Sequence, residues 1–207
     1  MTVGADAHRA GGAARAGLYA RLAGLLTFPT AETAGACARG EVAAELEAMV
    51  AALPYALALD AGALGAPVDP EELGREFMRL FDVPLDGPPI PLYGGLYGGD
   101  RRQVMEELLR FYRHFGLSTA HAPDQDLPDA IPTVLEFLAF LVQQEAVASG
   151  PAAAPLRAAQ RDVLERHLTR WTPTIVERLA RKDPLPFYRV LVDLLHGFAA
   201  AERAALA

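Results

Sequence analysis

Apolar residues recur every three or four positions along most of the chain, which is the spacing of amphipathic helices. The pattern predicts a helix over Ala13–Phe28 and another over Val42–Leu59 with a kink or break at Pro54. Asp69 and Asp100 each stand directly before a periodic stretch. They are predicted N-caps, because a short side-chain oxygen can accept a hydrogen bond from a free N–H group of the first turn.

The second half of the chain continues this pattern. Val134–Val142 is almost entirely apolar and predicts a helix that is buried on most sides. A further helix extends to Trp171, after which Pro173 is predicted to open a separate short helix; Pro184 and Pro186 precede the last helix. No stretch keeps the alternation of a strand, so the predicted fold class is all-α, with eight or nine helices.

Composition supports one helical domain rather than several. The chain has 207 residues, of which 52% are hydrophobic, and this is enough for a sizeable core. Alanine, leucine and arginine are abundant while isoleucine and threonine are less common, a balance that favours helix. We therefore predict a flexible N-terminus over residues 1–11 and a single all-helical domain over residues 12–207.

Charge and cysteine content narrow the range of partners and locations. The net charge of −7 argues against general nucleic-acid binding and suits a basic partner. Cys37 is the only cysteine, so an intramolecular disulfide framework is excluded. No signal-peptide type of apolar run and no stretch of membrane-spanning length is found in the sequence. We expect a cytoplasmic protein.

Sequence signatures of enzymes are missing. The chain contains no G-x-G-x-x-G after a strand, no P-loop, no H-E-x-x-H and no G-x-S-x-G. Its five histidines do not pair with one another or with Cys37 at metal-ligand spacing. We therefore predict no catalytic centre, no metal site and no cofactor. A helical enzyme built on a buried acid such as Glu136 would need a second catalytic group, and the sequence offers no candidate.

Glu136 stands alone inside the apolar run VLEFLAFLV. A buried carboxylate is costly unless it is paired or hydrogen-bonded. We expect Glu136 to meet a core-facing arginine such as Arg79, a backbone N–H group or a ligand. Nearby, Ala122–Leu156 contains no Lys, Arg or His but includes Asp126 and Asp129. This stretch is either a solvated acidic loop or a negative rim that attracts a basic peptide.

The segment PPIPLYGGLYGG (residues 88–99) combines helix-breaking residues with large side chains, among them Leu92, Tyr93 and Tyr97. Its prolines predict an extended backbone with polar groups unpaired at the surface, and its glycines would let another chain approach closely. The tyrosines then either anchor the loop to the core or offer rigid contact area to a peptide.

Three stretches of the chain together resemble one family. The first match is EFMRLFDVP followed by PPIPLYGGLYGGDRR. It resembles the E-x-x-R-L-F, P-P and Y-x-S-x-Y segment of the TorD/DmsD/NarJ chaperones, which are the redox-enzyme maturation proteins that serve molybdoenzymes. LPDAIPTVLEFLAFLVQQE resembles their P-D-H-[IL]-x-x-E-L-E-F-[ML] signature. The third match lies near the end of the chain. The family's H-L-x-x-W pattern resembles RDVLERHLTRWTPTIVERL, and its F-Y-x-x-L pattern resembles PFYRVLVDLLHGF. The matches stand in the family's order and span residues 70–200.

The Pro/Gly segment is more similar to one branch of this family, and the second signature departs from the family's pattern. PLYGGLYGGDR is more similar to the branch that assists nitrate-reductase-like periplasmic enzymes, such as selenate and chlorate reductases and dimethyl sulfide and ethylbenzene dehydrogenases. The histidine of P-D-H is Ala130 here, and the first glutamate of that signature is Val134, whereas the second is kept as Glu136. A role of that histidine in leader binding or nucleotide contact is therefore not carried over.

The resemblance implies a non-catalytic, TorD-like helical chaperone of the cytoplasm. Such proteins bind the twin-arginine leader and part of the body of an apo molybdopterin oxidoreductase catalytic subunit, hold it until its cofactor is inserted, and so delay export. A monomer is implied, with domain-swapped dimers able to form through loops such as residues 149–155.

The resemblance also implies a leader groove, with the Pro/Gly segment as one wall. Acidic residues would receive the two arginines of the leader, and an apolar groove would take the helix that follows them. The residues placed in this leader-binding site are Arg79, Phe81, Pro89, Leu92, Tyr93, Tyr97, Arg101, Asp126, Asp129 and Glu136.

The alternative is an all-helical, ligand-responsive transcription regulator of similar length. It would require an N-terminal helix-turn-helix with basic residues turned to DNA. Residues 1–50 contain Arg9, Arg15, Arg21 and Arg39, but not in such a pattern.

Overall fold

The computed structural model describes residues 11–82, 87–117 and 126–207. Counted over those residues, nine helices follow one another, and the all-α prediction is confirmed. The helices are α1 Gly12–Leu25, α2 Ala31–Ala38, α3 Glu41–Ala51, α4 Ala61–Leu64, α5 Pro70–Phe77 with a π-helical extension Met78–Asp82, α6 Arg101–His114, α7 Ile131–Val147, α8 Ala153–Val163 continued by a π-helical turn Leu164–Leu168 and by Thr169–Ala180, and α9 Pro186–Ala205. The predicted flexible start lies, except for Gly11, outside the described residues.

Both predicted aspartate caps are present. The Asp69 carboxylate accepts a hydrogen bond from the N–H of Glu71 (3.3 Å), at the start of α5. The Asp100 carboxylate accepts one from the N–H of Arg102 (2.9 Å), at the start of α6. Each cap satisfies a donor that has no partner within its own helix.

Two predicted helix boundaries are wrong. Of the kink and the break considered at Pro54, the break agrees with the structure, but the helix predicted over Val42–Leu59 ends at Ala51 and does not resume before Leu59. In the irregular stretch that follows, Leu53, Tyr55, Leu57 and Leu59 are buried or half-buried while the residues between them are exposed. The inward side chains therefore alternate, as in an extended chain, rather than following the helical period.

Pro173 does not open a new helix. It lies inside Thr169–Ala180, the last part of α8, and is exposed. A proline in a helix removes one N–H donor. On an exposed face the carbonyl that loses its partner can bond to water, and the helix continues.

The core is continuous and centres on α7. This helix lies along α1 on one side and against the first part of α8 on another, while α9 packs on the last part of α8 and on α4. Val134, Leu135, Leu138 and Leu141 are completely buried. The prediction that α7 is buried on most sides is confirmed.

A buried ionic cluster joins four helices. The Arg15 guanidinium on α1, 1% exposed, donates to both carboxylate oxygens of Glu202 on α9 (2.7 and 2.8 Å). It also donates to the side-chain oxygen of Gln160 on α8 (2.8 Å), whose amide donates to Glu145 on α7 (2.9 Å). The hydroxyl of Tyr55 donates to Glu202 as well (2.5 Å). Sequence reasoning missed this cluster.

Within the described ranges, no helix combines the length and apolar character needed to cross a lipid bilayer.

Candidate functional site

The Pro/Gly segment is paired with the chain that leads into α7. The N–H of Gly94 donates to the carbonyl of Asp129 (2.7 Å), and the N–H of Ile131 donates to the carbonyl of Leu92 (2.8 Å). These bonds flank an isolated antiparallel bridge between Tyr93 and Ala130. The expectation that this backbone is unpaired at the surface is therefore wrong over residues 92–94.

Asp129 is a buried carboxylate that holds the Pro/Gly segment against the chain leading into α7. Its side chain, 0% exposed, accepts hydrogen bonds from Arg101 Nε (2.9 Å) and from the N–H of Gly95 (3.3 Å). The same guanidinium lies 5.2 Å from the centre of the Tyr93 ring. Asp129 and Arg101, both predicted to bind the leader, fix the loop that carries Tyr93. The prediction that they also bind the leader stays a prediction.

The first glycine pair of GGLYGG is needed for packing inside the molecule. A Cβ atom on Gly94 would lie 2.3 Å from ring carbons of Trp171, and one on Gly95 would lie 2.6 Å from Arg101 Cγ. Real Cβ atoms do not come this close, so only glycine fits at either position. The expectation that glycines here admit a partner peptide is wrong for this pair. Gly98 is exposed, and a Cβ there would meet nothing within 4 Å.

Tyr97 has an anchoring role. Its hydroxyl donates to the carbonyl of Pro91 (2.7 Å), and its half-buried ring lies 5.0 Å from the guanidinium carbon of Arg178. Burial raises the pKa of the Tyr97 hydroxyl, with Arg178 acting in the opposite direction. These contacts support the loop-anchoring interpretation; the prediction that Tyr97 also contacts a peptide stays a prediction.

Several other predicted site residues serve the fold. Leu92 is 9% exposed, and Phe81 is buried beside Tyr188 with ring centres 5.4 Å apart. Pro89 is half-buried.

Arg79 pairs with its own helix neighbour Glu76 (2.6 Å) and donates to the carbonyl of Lys182 (3.1 Å). Glu76 also accepts from the N–H of Leu185 (3.0 Å). Partial burial acts to raise the pKa of Glu76, but the hydrogen bonds from Arg79 and Leu185 outweigh it and the pKa is lowered. The E-x-x-R part of EFMRLFDVP thus ties the end of α5 to the turn between α8 and α9.

The prediction of a buried Glu136 paired with Arg79 is wrong. Glu136 is exposed on α7, and Arg79 is taken by Glu76. The Glu136 charge nevertheless acts on Tyr112, whose hydroxyl donates to the carbonyl of Pro128 (2.8 Å). Burial, followed by the charges of Asp129 and Glu136, raises the pKa of Tyr112. Glu136 is thus an exposed carboxylate beside the loop that pairs with the Pro/Gly segment.

Carboxylates gather around Tyr93. Burial and the charges of Asp126, Asp129 and Asp82 raise the pKa of Tyr93, while Arg101 opposes them. Asp82 and Asp126 are exposed and Asp129 is buried. Asp82 was not predicted as a site residue, although its place directly after the LF of EFMRLFDVP is a signal that could have identified it. We use the name acidic face for Tyr93 with the exposed Asp82 and Asp126, and extend it to the exposed Glu136, whose charge acts on Tyr112 beside Pro128.

Exposed apolar side chains occur on the same two paired segments. Leu96 is 45% exposed and Leu127 is 43% exposed. Asp124, a further acid of the predicted negative rim, lies outside the described residues. In the part of the chain that the structure covers, no three His, Cys, Asp or Glu side chains come together closely enough to hold a metal ion.

Known proteins resemble this chain in fold and in sequence. The crystal structure of a candidate redox enzyme maturation protein from Archaeoglobus fulgidus superposes with a TM-score of 0.52 over 92% of this chain and 91% of that one, at 19% identity. A perchlorate reductase assembly chaperone protein from Dechloromonas aromatica (strain RCB) is 32% identical over 91% of this chain and 88% of its own length. A selenate reductase assembly chaperone protein from Thauera selenatis is 40% identical over 56% of this chain and 64% of its own.

The fold is that of a redox enzyme maturation protein, and the relatives in sequence are non-enzymatic assembly chaperones. The family model for the nitrate reductase delta subunit matches residues 39–177, and the chain belongs to this family. The transcription-regulator alternative is therefore set aside.

Proposed function

We propose that this protein is a cytoplasmic chaperone that binds the catalytic subunit of a molybdopterin oxidoreductase, together with its twin-arginine leader, until the cofactor is inserted. The client class follows the names of the relatives, which serve perchlorate and selenate reductases. The leader-binding part of the proposal rests on one observation, which is the cluster of carboxylates around Tyr93.

The acidic face suits the charge of a leader. Asp82, Asp126 and Glu136 are exposed carboxylates, and two of them act electrostatically on Tyr93. Arginine forms bidentate hydrogen bonds with carboxylates, and its guanidinium also stacks on aromatic rings. Two adjacent leader arginines would thus find both acceptors and the Tyr93 ring on this face.

The loop that carries Tyr93 is held firmly from within. Asp129, Arg101 and the backbone pairing of residues 92–94 fix it before a partner arrives. A preformed surface loses less conformational entropy on binding than a flexible one. Leu96 and Leu127 offer apolar contact to the hydrophobic part of a leader. In this account Asp129 and Arg101 are positioning residues, whereas Asp126 and Glu136 contact the peptide.

A peptide titration tests this site. The probe is a synthetic peptide with two consecutive arginines followed by an apolar stretch, and its match has glutamines in place of the arginines. We expect Asp126→Asn/Glu136→Gln to bind the arginine peptide about 5- to 20-fold more weakly, because each lost ion pair contributes up to about 1 kcal/mol. Added salt should weaken binding to the wild-type protein, because the charges are exposed.

The control variant is Asp193→Asn/Glu47→Gln, which removes the same two residue types from exposed positions on α9 and α3. It should bind as the wild-type protein does. Equal binding of the arginine and glutamine peptides, or equal loss in both double variants, would overturn the proposed leader site.

A further inference from the structure

Trp171 lies directly beneath Gly94 in the Pro/Gly segment. A Cβ atom on Gly94 would lie 2.3 Å from two carbons of the indole ring and 2.4 Å from a third, so the Gly94 backbone is packed against this ring. The indole belongs to the last part of α8 and is 2% exposed. A buried residue of α8 therefore contacts the loop that carries Tyr93 from its inner side.

A second residue of α8 supports the same segment. The guanidinium carbon of Arg178 lies 5.0 Å from the centre of the Tyr97 ring, and the Tyr97 hydroxyl donates to the carbonyl of Pro91 (2.7 Å). Trp171 and Arg178 are seven residues apart in the sequence. Seven residues are about two turns of a helix, so the two side chains stand on one face of α8, about 10 Å apart along its axis. This face supports the 3₁₀-helical turn Gly94–Leu96 from below.

The contact with the indole adjoins the hydrogen bonds that order the loop. The N–H of Gly94 donates to the carbonyl of Asp129 (2.7 Å), next to the bridge between Tyr93 and Ala130. Without the indole, the Gly94 backbone could move into the space that it leaves, and this hydrogen bond would lengthen and weaken. The position of Tyr93 relative to the Asp126 carboxylate would then no longer be fixed.

We propose that Trp171 is a positioning residue for leader binding. Its indole fixes Gly94 and, through Gly94, the arrangement of Tyr93 and the carboxylates of the acidic face. This role rests on the proposed leader site and deepens it, because it makes the affinity for a leader depend on a buried residue that does not contact the leader. A role confined to the core would lower stability and leave the affinity of the folded protein unchanged.

The exchange of amide hydrogens with solvent tests whether Trp171 fixes the loop. The variant is Trp171→Leu in the full chain, and the control is Leu46→Ala on α3, which truncates another completely buried side chain. We expect the N–H groups of Gly94 and Ile131, which join the two paired segments, to exchange about tenfold faster or more in Trp171→Leu than in Leu46→Ala. Both variants lower global stability, so the difference between them measures local opening of the loop. Equal rates in the two variants would overturn the proposed role.

Binding of the arginine peptide tests whether this position matters to a partner. Trp171→Leu should bind it about 5- to 10-fold more weakly than the wild-type protein, whereas Leu46→Ala should bind it as the wild-type protein does. Gly94→Ala should also bind it more weakly, because the added methyl group pushes against the indole. The double variant Gly94→Ala/Trp171→Leu should regain binding to within about twofold of wild type, because the methyl group then enters space that the indole has left. Losses that simply add in the double variant would overturn the proposed role.

The two measurements separate this role from the leader site itself. If the wild-type protein binds the arginine and glutamine peptides equally, the leader site fails, and the exchange rates alone decide whether Trp171 fixes the loop. If Trp171→Leu opens the loop but binds both peptides as the wild-type protein does, the leader site stands and Trp171 is not a positioning residue. Trp171→Phe, with a smaller aromatic ring, serves for both measurements if Trp171→Leu does not fold.

Discussion

Replacing Gly94 by alanine should destabilise the protein, although the change adds only one methyl group. The added Cβ would lie 2.3 Å from two ring carbons of Trp171 and 2.4 Å from a third. Trp171 is 2% exposed, and its neighbour His167 is also buried with ring centres 5.4 Å apart, so the indole cannot move aside easily. Overpacking of this kind costs about 1–3 kcal/mol.

The matched control lies four residues further along the same GGLYGG motif. A Cβ on Gly98 meets nothing within 4 Å, and its φ is not in the left-handed region. Gly98→Ala should therefore change stability by less than about 0.5 kcal/mol. Urea denaturation of both variants measures the difference in the free energy of unfolding. If Gly94→Ala and Gly98→Ala are equally stable, the Pro/Gly segment is not packed on α8 as described.

Three other changes follow from the buried groups. Glu202→Gln should cost about 3 kcal/mol of stability, because it removes the negative charge to which the buried Arg15 guanidinium donates two hydrogen bonds. Glu41→Gln, on the surface, should leave stability unchanged within error, and denaturant titration compares the two variants. Tyr97→Phe should cost about 1 kcal/mol by removing the hydrogen bond to Pro91, and no loss would contradict the anchoring role. Burial and nearby arginines lower the pKa of His167 to about 4. Between about pH 6.5 and 4 only the unfolded state takes up this proton, so the stability of the protein should fall as the pH drops through that range. His167→Gln should remove part of that fall, and an identical pH profile would contradict the view that His167 is buried and neutral.

The helical architecture followed from local signals in the sequence. Asp69 and Asp100 were recognised as caps because capping chemistry depends on one residue and its own helix. The stretch Val42–Leu59 was misjudged because its apolar residues fit two periods. Leu53, Tyr55, Leu57 and Leu59 alternate, and this signal of extended chain was present beside the breaker Pro54.

Buried charges were harder to place. Glu136 was predicted to be buried because its sequence neighbours are apolar, yet it shares an exposed stripe of α7 with Gln143 and Val147, at spacings of seven and eleven residues. Glu145 follows two glutamines near the end of α7 and is 2% exposed. Its partner Arg157 comes from another helix (2.6 Å), and nothing in the local sequence shows such a tertiary contact.

The candidate site was predicted in part. The sequence identified the Pro/Gly segment and the acids before α7, and the structure brings Tyr93, Asp126 and Asp129 together. Sequence reasoning did not separate residues that fix the loop from those that face a partner, because burial decides that role. Asp129 and Asp126 stand three positions apart with similar local sequence, yet one is fully buried and the other exposed.

The central claim is that this chain captures an unfinished molybdoenzyme subunit. The most direct test is affinity purification of the tagged full chain from cells of its native host while the molybdoenzyme is being made, with mass spectrometry of the bound proteins. The account predicts a molybdopterin-binding catalytic subunit that still carries its uncleaved leader. Repeated recovery of no such subunit under those conditions would contradict it.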